Sequence, residues 1–89
     1  MTIGKRVVYQ GRVQGVGFRY AAQGLAENFP VAGFVRNVPD GSVELVVEGP
    51  ADPVEEFLDA VAQRMAAYIQ SSTVQEQAPR GLQGFSIRF

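Results

Sequence analysis

Apolar spacing along these 89 residues switches between a period of two and a period near 3.6, and the order of the switches leaves few folds open. Val7, Val8 and Tyr9, set among Lys5, Arg6, Gln10 and Arg12, predict a first strand over residues 5–12. From Phe18 onward, Phe18, Ala22, Leu25, Ala26 and Phe29 share one helical face. Gly24 weakens that helix by about 1 kcal/mol relative to alanine, and Asn28 and Pro30 end it. Val31–Val38 reads as a second strand, Pro39-Asp40-Gly41 as a tight turn, and Ser42–Glu48 as a third strand with Val43, Leu45 and Val47 on one face. These two strands are expected to form a hairpin, with Glu44 and Glu48 on its solvated side. Asp52 is expected to cap a second helix that has Pro53 at its first position and Glu55 three residues after the cap. Phe57, Leu58, Val61, Ala62 and Met65 are its buried stripe, and it runs to about Ala66. An exposed edge strand or partly irregular segment is expected over Tyr68–Gln77, and a loop over Pro79–Gly84. Phe85, Ile87 and Phe89 alternate with Ser86 and Arg88, which predicts a short closing strand.

Strand, helix, strand, strand, helix, strand is the order of two right-handed split strand–helix–strand units. It predicts the α+β class: a ferredoxin-like sandwich of one antiparallel sheet, both helices on one face, plus a short C-terminal strand. The length supplies one core, so residues 1–89 are read as a single domain.

The chemistry open to such a domain is narrowed by what it lacks. With no cysteine and no histidine there is no disulfide, thiolate nucleophile, imidazole base or ordinary zinc ligand. A net charge of -1 gives no general attraction to nucleic acid or anionic lipid. No apolar run approaches the roughly 20 residues of a membrane span, and the first residues lead into a strand, so a cytoplasmic location is expected.

One stretch stands out against this background. Residues 11–19, G-R-V-Q-G-V-G-F-R, place three glycines and Arg19 between the first strand and the first helix. Glycines let successive N–H groups face one centre, the helix start adds unpaired N–H groups and a positive dipole end, and Arg19 adds a planar fork matched to phosphate or carboxylate. The P-loop pattern is absent because no Lys followed by Ser or Thr comes after Gly17. The dinucleotide pattern fails because Tyr20 stands where its last glycine belongs.

Residues 11–19, together with G-F-V-R-N-V-P-D-G-S-V at 33–43, closely resemble the two signatures of the acylphosphatase family, in the right order and spacing. The resemblance extends over nearly the whole chain, including the G-F-S-I-R-F ending. It departs from the family at Tyr9, where an aliphatic residue is preferred, at Asn28-Phe29-Pro30, and in the Ser/Gln-rich stretch after Tyr68. The resemblance implies hydrolysis of an acyl phosphate, a small-molecule substrate, to a carboxylate and inorganic phosphate. It implies a phosphate site formed by Gln14, Gly15, Val16, Gly17, Phe18 and Arg19, with Arg19 on the phosphoryl oxygens and Asn37 orienting the attacking water. No metal and no organic cofactor is implied. Arg36 is expected to be a solvated strand charge, Gln14 a support for the loop, and the chain a monomer.

The residue chemistry agrees with that implication. The leaving carboxylate is stable without a proton, and a substrate phosphate oxygen can take the proton from water, so positioning and charge stabilisation suffice. An RNA-recognition module shares the element order, but its aromatic motif lies on the third strand, where this chain reads S-V-E-L-V-V-E. The alternative that stays open is a non-catalytic small-anion-binding or interaction domain. Another is a terminal domain of a larger hydrogenase maturation factor that handles carbamoyl phosphate.

Overall fold

The computed structural model describes residues 1–89 as strand β1 (Thr2–Gly11), helix α1 (Phe18–Ala26), strands β2 (Ala32–Asn37) and β3 (Val43–Pro50), helix α2 (Ala51–Arg64), and strands β4 (Ile69–Gln77) and β5 (Phe85–Arg88). The strands form one sheet in the order β4-β1-β3-β2-β5. All neighbours are antiparallel except β2 and β5, which run parallel with Val35 opposite Ile87. This is the expected ferredoxin-like arrangement, and β5 extends its β2 edge.

Alternation sorts the strands into two faces. Val7, Tyr9, Val35, Val43, Leu45 and Val47 point toward the helices and pack with Phe18, Ala22 and Ala26 of α1 and Val54, Phe57 and Val61 of α2. Phe57 meets Phe29 and Phe85 edge-on, with ring centroids 6.0 and 5.3 Å away, so α2 is locked to both the α1 exit and β5. Lys5 pairs with Glu55 of α2 at 2.5 Å on the same side. Both helices therefore cover one face, and the predicted stripes are wholly or partly buried there except at Ala62, which is exposed; Val54, outside the predicted stripe, is fully buried in its place because it lies one turn before Phe57 and Leu58 on the same helical face.

The opposite face differs from the expectation of a solvated surface. Glu44 and Glu48 are buried, at 8% and 4% exposure. Arg6 from β1 and Arg36 from β2 each donate through Nε to one carboxylate oxygen of Glu44, both at 2.5 Å. Glu48 accepts the backbone N–H groups of Arg80 at 2.8 Å and Leu82 at 2.6 Å, which draws the segment between β4 and β5 across the sheet. Arg88 lies 3.7 Å over the Phe34 ring. A charge burial of this kind needs partners from distant strands, and a period-two pattern does not report them. Arg36, expected to be solvated, is accordingly half-buried and engaged.

The start of α2 also differs. The helix begins at Ala51 with Pro50 in the cap position and no side-chain cap, so Asp52 and Pro53 lie inside the first turn. Proline is tolerated there because first-turn N–H groups have no intrahelical acceptor. β4 is the exposed edge strand that the sequence suggested, paired only with β1. No helix is long and apolar enough to cross a membrane.

Candidate active site

β1 ends at Gly11, and the chain then turns through residues 12–17 into α1. Gly15 and Gly17 adopt φ of 77° and 80°, the left-handed region, and a Cβ at either would meet nothing within 4 Å. The requirement for glycine is therefore conformational, not steric. Gly17 is the helix cap residue, and its carbonyl accepts the Ala21 N–H at 2.9 Å. The N–H groups of Gly15 through Tyr20 donate to no acceptor in the protein. They form a row of free donors at a helix N-terminus, the arrangement that binds anions.

The first residue of α1 is fixed from below. Phe18 is 2% exposed and packs its ring 4.9 Å from that of Tyr9, so the Tyr9 departure from the family pattern serves as the seat of the helix start. Burial pushes the Tyr9 phenol far above its ordinary value, which keeps it neutral at any physiological pH.

Arg19 follows, half-buried, and its guanidinium is held from the far end of the chain. Its Nη1 donates to the Arg88 carbonyl at 3.3 Å, and its Cζ lies 4.7 Å from the centre of the Phe89 ring. Asn37 is the last residue of β2, opposite Val43 of β3, and its carboxamide makes no hydrogen bond within the protein. A cavity of about 190 Å³ is lined by Val13, Gly15, Gly17, Phe18, Arg19, Tyr20 and Asn37. Of the residues expected to form the site, Gly15, Gly17, Phe18, Arg19 and Asn37 thus share one cavity, whereas Gln14 and Val16 lie outside its lining.

Gln14 has a different task. Its Nε2 donates to the Val38 carbonyl at 2.7 Å and to the Ser42 carbonyl at 2.9 Å, bridging the glycine loop to the turn that follows Asn37. That turn is itself closed: the Val38 N–H donates to Ser42 O at 2.8 Å, and the Ser42 N–H and hydroxyl both donate to Asp40 Oδ1, at 2.9 and 2.6 Å. The hydroxyl and amide of Ser42 hold the Asp40 carboxyl below its ordinary value. Sequence reasoning placed Gln14 as a loop support without its partners. It missed the hold of Arg88 and Phe89 on Arg19, which only the β2–β5 pairing brings into reach. No group of three or more acidic, cysteine or histidine side chains is placed to hold a metal ion.

A family model for acylphosphatase matches residues 5–87. The chain belongs to the acylphosphatase family. With that membership comes its activity, the hydrolysis of acyl phosphates. The chain is 46% identical over 83 residues to an acylphosphatase of Trichormus variabilis, covering 92% of this chain and 82% of that one. The crystal structure of acylphosphatase from Bacillus subtilis superposes with a TM-score of 0.89 at 36% identity, over the full length of both chains. Full-length HypF also contains this fold, with a TM-score of 0.87 at 23% identity, and this chain spans 12% of it.

Proposed function

We propose that this acylphosphatase holds the phosphoryl group of its substrate on the N–H groups of the 14–19 loop and the Arg19 fork, and orients the attacking water through Asn37. The observation that carries this reading is the convergence of Arg19, Asn37 and a row of unpartnered N–H groups on one small cavity. In the proposed reaction the water oxygen forms a bond to phosphorus, and the bond between phosphorus and the bridging oxygen breaks. The electron pair leaves on the carboxylate, and the water proton passes to a phosphate oxygen of the substrate. Negative charge grows on the bridging and equatorial oxygens, where preorganised N–H donors and a guanidinium act most strongly.

No protein base is required, which suits a cavity whose lining contains neither carboxylate nor imidazole. The same account is metal-independent, and activity is expected to persist in excess EDTA; restoration by a divalent ion after loss in EDTA would contradict it. The absence of cysteine makes no demand for an oxidising compartment and is compatible with the cytoplasm.

The deciding experiment separates catalysis from binding. Asn37→Ala is expected to lower kcat for benzoyl phosphate by roughly 10² or more, the scale of one aligned polar group in a transition state. Inhibition by inorganic phosphate should change by no more than a few fold, because the cradle lies on another element. A folded variant with wild-type turnover would remove Asn37 from the mechanism. Absence of turnover in the wild type, with phosphate still bound, would leave an anion-binding module.

A further inference from the structure

We propose that Tyr20 reads the acyl half of the substrate, holding planar aromatic acyl groups against its ring; this rests on the acyl phosphate reading above. The cavity offers few ways to recognise that half. Gly15 and Gly17 have no side chains, and Val13 and Phe18 are 0% and 2% exposed, so they form the floor. Arg19 and Asn37 are polar and committed to the phosphoryl end. Tyr20 is what remains: an apolar ring on the same cavity, 64% exposed. Its hydroxyl makes no hydrogen bond within the protein, and its ring is absent from the pairs that tie Tyr9 to Phe18 and Phe57 to Phe29 and Phe85.

An exposed tyrosine elsewhere on the surface would carry no such meaning. Here it stands next in sequence to Arg19, on the rim of the cavity that holds the phosphoryl group. The acyl carbon is one bridging oxygen from phosphorus, so the acyl group must leave the cavity over that rim. A flat aromatic acyl group can lie in offset contact with the Tyr20 ring, whereas an acetyl group is too short to cover it. The contact is remote from the reacting phosphorus and equal in ground and transition states, so it acts on KM and leaves kcat in place.

The test compares benzoyl phosphate with acetyl phosphate in the wild type, Tyr20→Ala and Tyr20→Phe. Tyr20→Ala is expected to raise KM for benzoyl phosphate about 3- to 10-fold, the scale of one aromatic contact. KM for acetyl phosphate should stay within about 2-fold, and Tyr20→Phe should keep the wild-type ratio. Equal losses on both substrates, or no change on either, would overturn the assignment. A binding arm is independent of turnover: 2-oxo-2-phenylethylphosphonate and 2-oxopropylphosphonate, in which a methylene replaces the bridging oxygen, are titrated calorimetrically. Tighter binding of the phenyl compound, lost in Tyr20→Ala, supports the proposal even if neither acyl phosphate is hydrolysed, an outcome that would sink only the catalytic reading. Failure of the phenyl compound to bind better than the methyl one overturns it.

Discussion

Among single residues, Arg19 is the one whose proposed role no other residue of the cavity could take over. It is the only cation lining the cavity, and its planar fork presents paired donors that an ammonium lacks. Arg19→Ala is expected to abolish both turnover and inhibition by inorganic phosphate while leaving the far-ultraviolet circular dichroism unchanged. Arg19→Lys should recover little of either. Steady-state kinetics with phosphate as competitor checks both, and unchanged phosphate inhibition in the alanine variant would contradict the assignment. The role proposed for Arg19 could be read from the sequence because glycines and one arginine at a helix start describe a candidate anion site, and the structure puts Arg19 on the same cavity as Gly15, Gly17 and Asn37. How it is held could not. The Arg88 carbonyl and the Phe89 ring lie at the other end of the chain, and no local pattern links them to residue 19.

Between elements, the decisive contact is Gln14 across to the turn after β2. Two neutral, partly exposed hydrogen bonds of this kind contribute about 1 kcal/mol each at most, so Gln14→Ala should lower stability by roughly 1–2 kcal/mol. Activity should suffer more than stability, because the bridge fixes the distance between the glycine loop and Asn37. Denaturant midpoints set beside kcat would check this, and a variant that loses stability without losing kcat would make the bridge merely structural. Element order, hairpin pairing and most of the helix stripes were readable from periodicity, the exceptions being Ala62, which is exposed, and Val54, which is buried. The cap of α2 was not, since an Asp before a Pro matched a capping pattern, whereas the helix starts at Ala51, with Pro50 two residues before Asp52 in the cap position and no side-chain cap. Glu44 and Glu48 misled for a related reason: alternation says which face a residue occupies, not what lies over it.

For the whole molecule, Glu44 ties acid stability to the sheet. Burial alone would raise its pKa, but hydrogen bonds from Arg36 and Arg6 and their charges outweigh that and hold it below the ordinary glutamate value. A group depressed in the folded state stabilises fully above its unfolded pKa, near 4.5, and loses that contribution as pH falls through the lower folded value. Unfolding free energy should therefore decline below about pH 4.5. Glu44→Gln should flatten part of that decline and cost about 1–3 kcal/mol at pH 7, the scale of hydrogen bonds to a charged group. Urea melts at several pH values between 3 and 7 provide the check, and an unaltered acid slope in the variant would refute the linkage. The joining of three strands through one carboxylate also explains how a sheet with no helices on this side keeps its far face closed.

The Gln14 bridge grips main-chain carbonyls, not side chains, and this shapes what the molecule can tolerate. Any turn between β2 and β3 that returns the carbonyls of residues 38 and 42 to the same places satisfies the bridge, whatever side chains it displays. The outward side chains of that turn are consequently expected to be open to change, so long as Gly41 keeps its left-handed φ of 98° and the main chain its path.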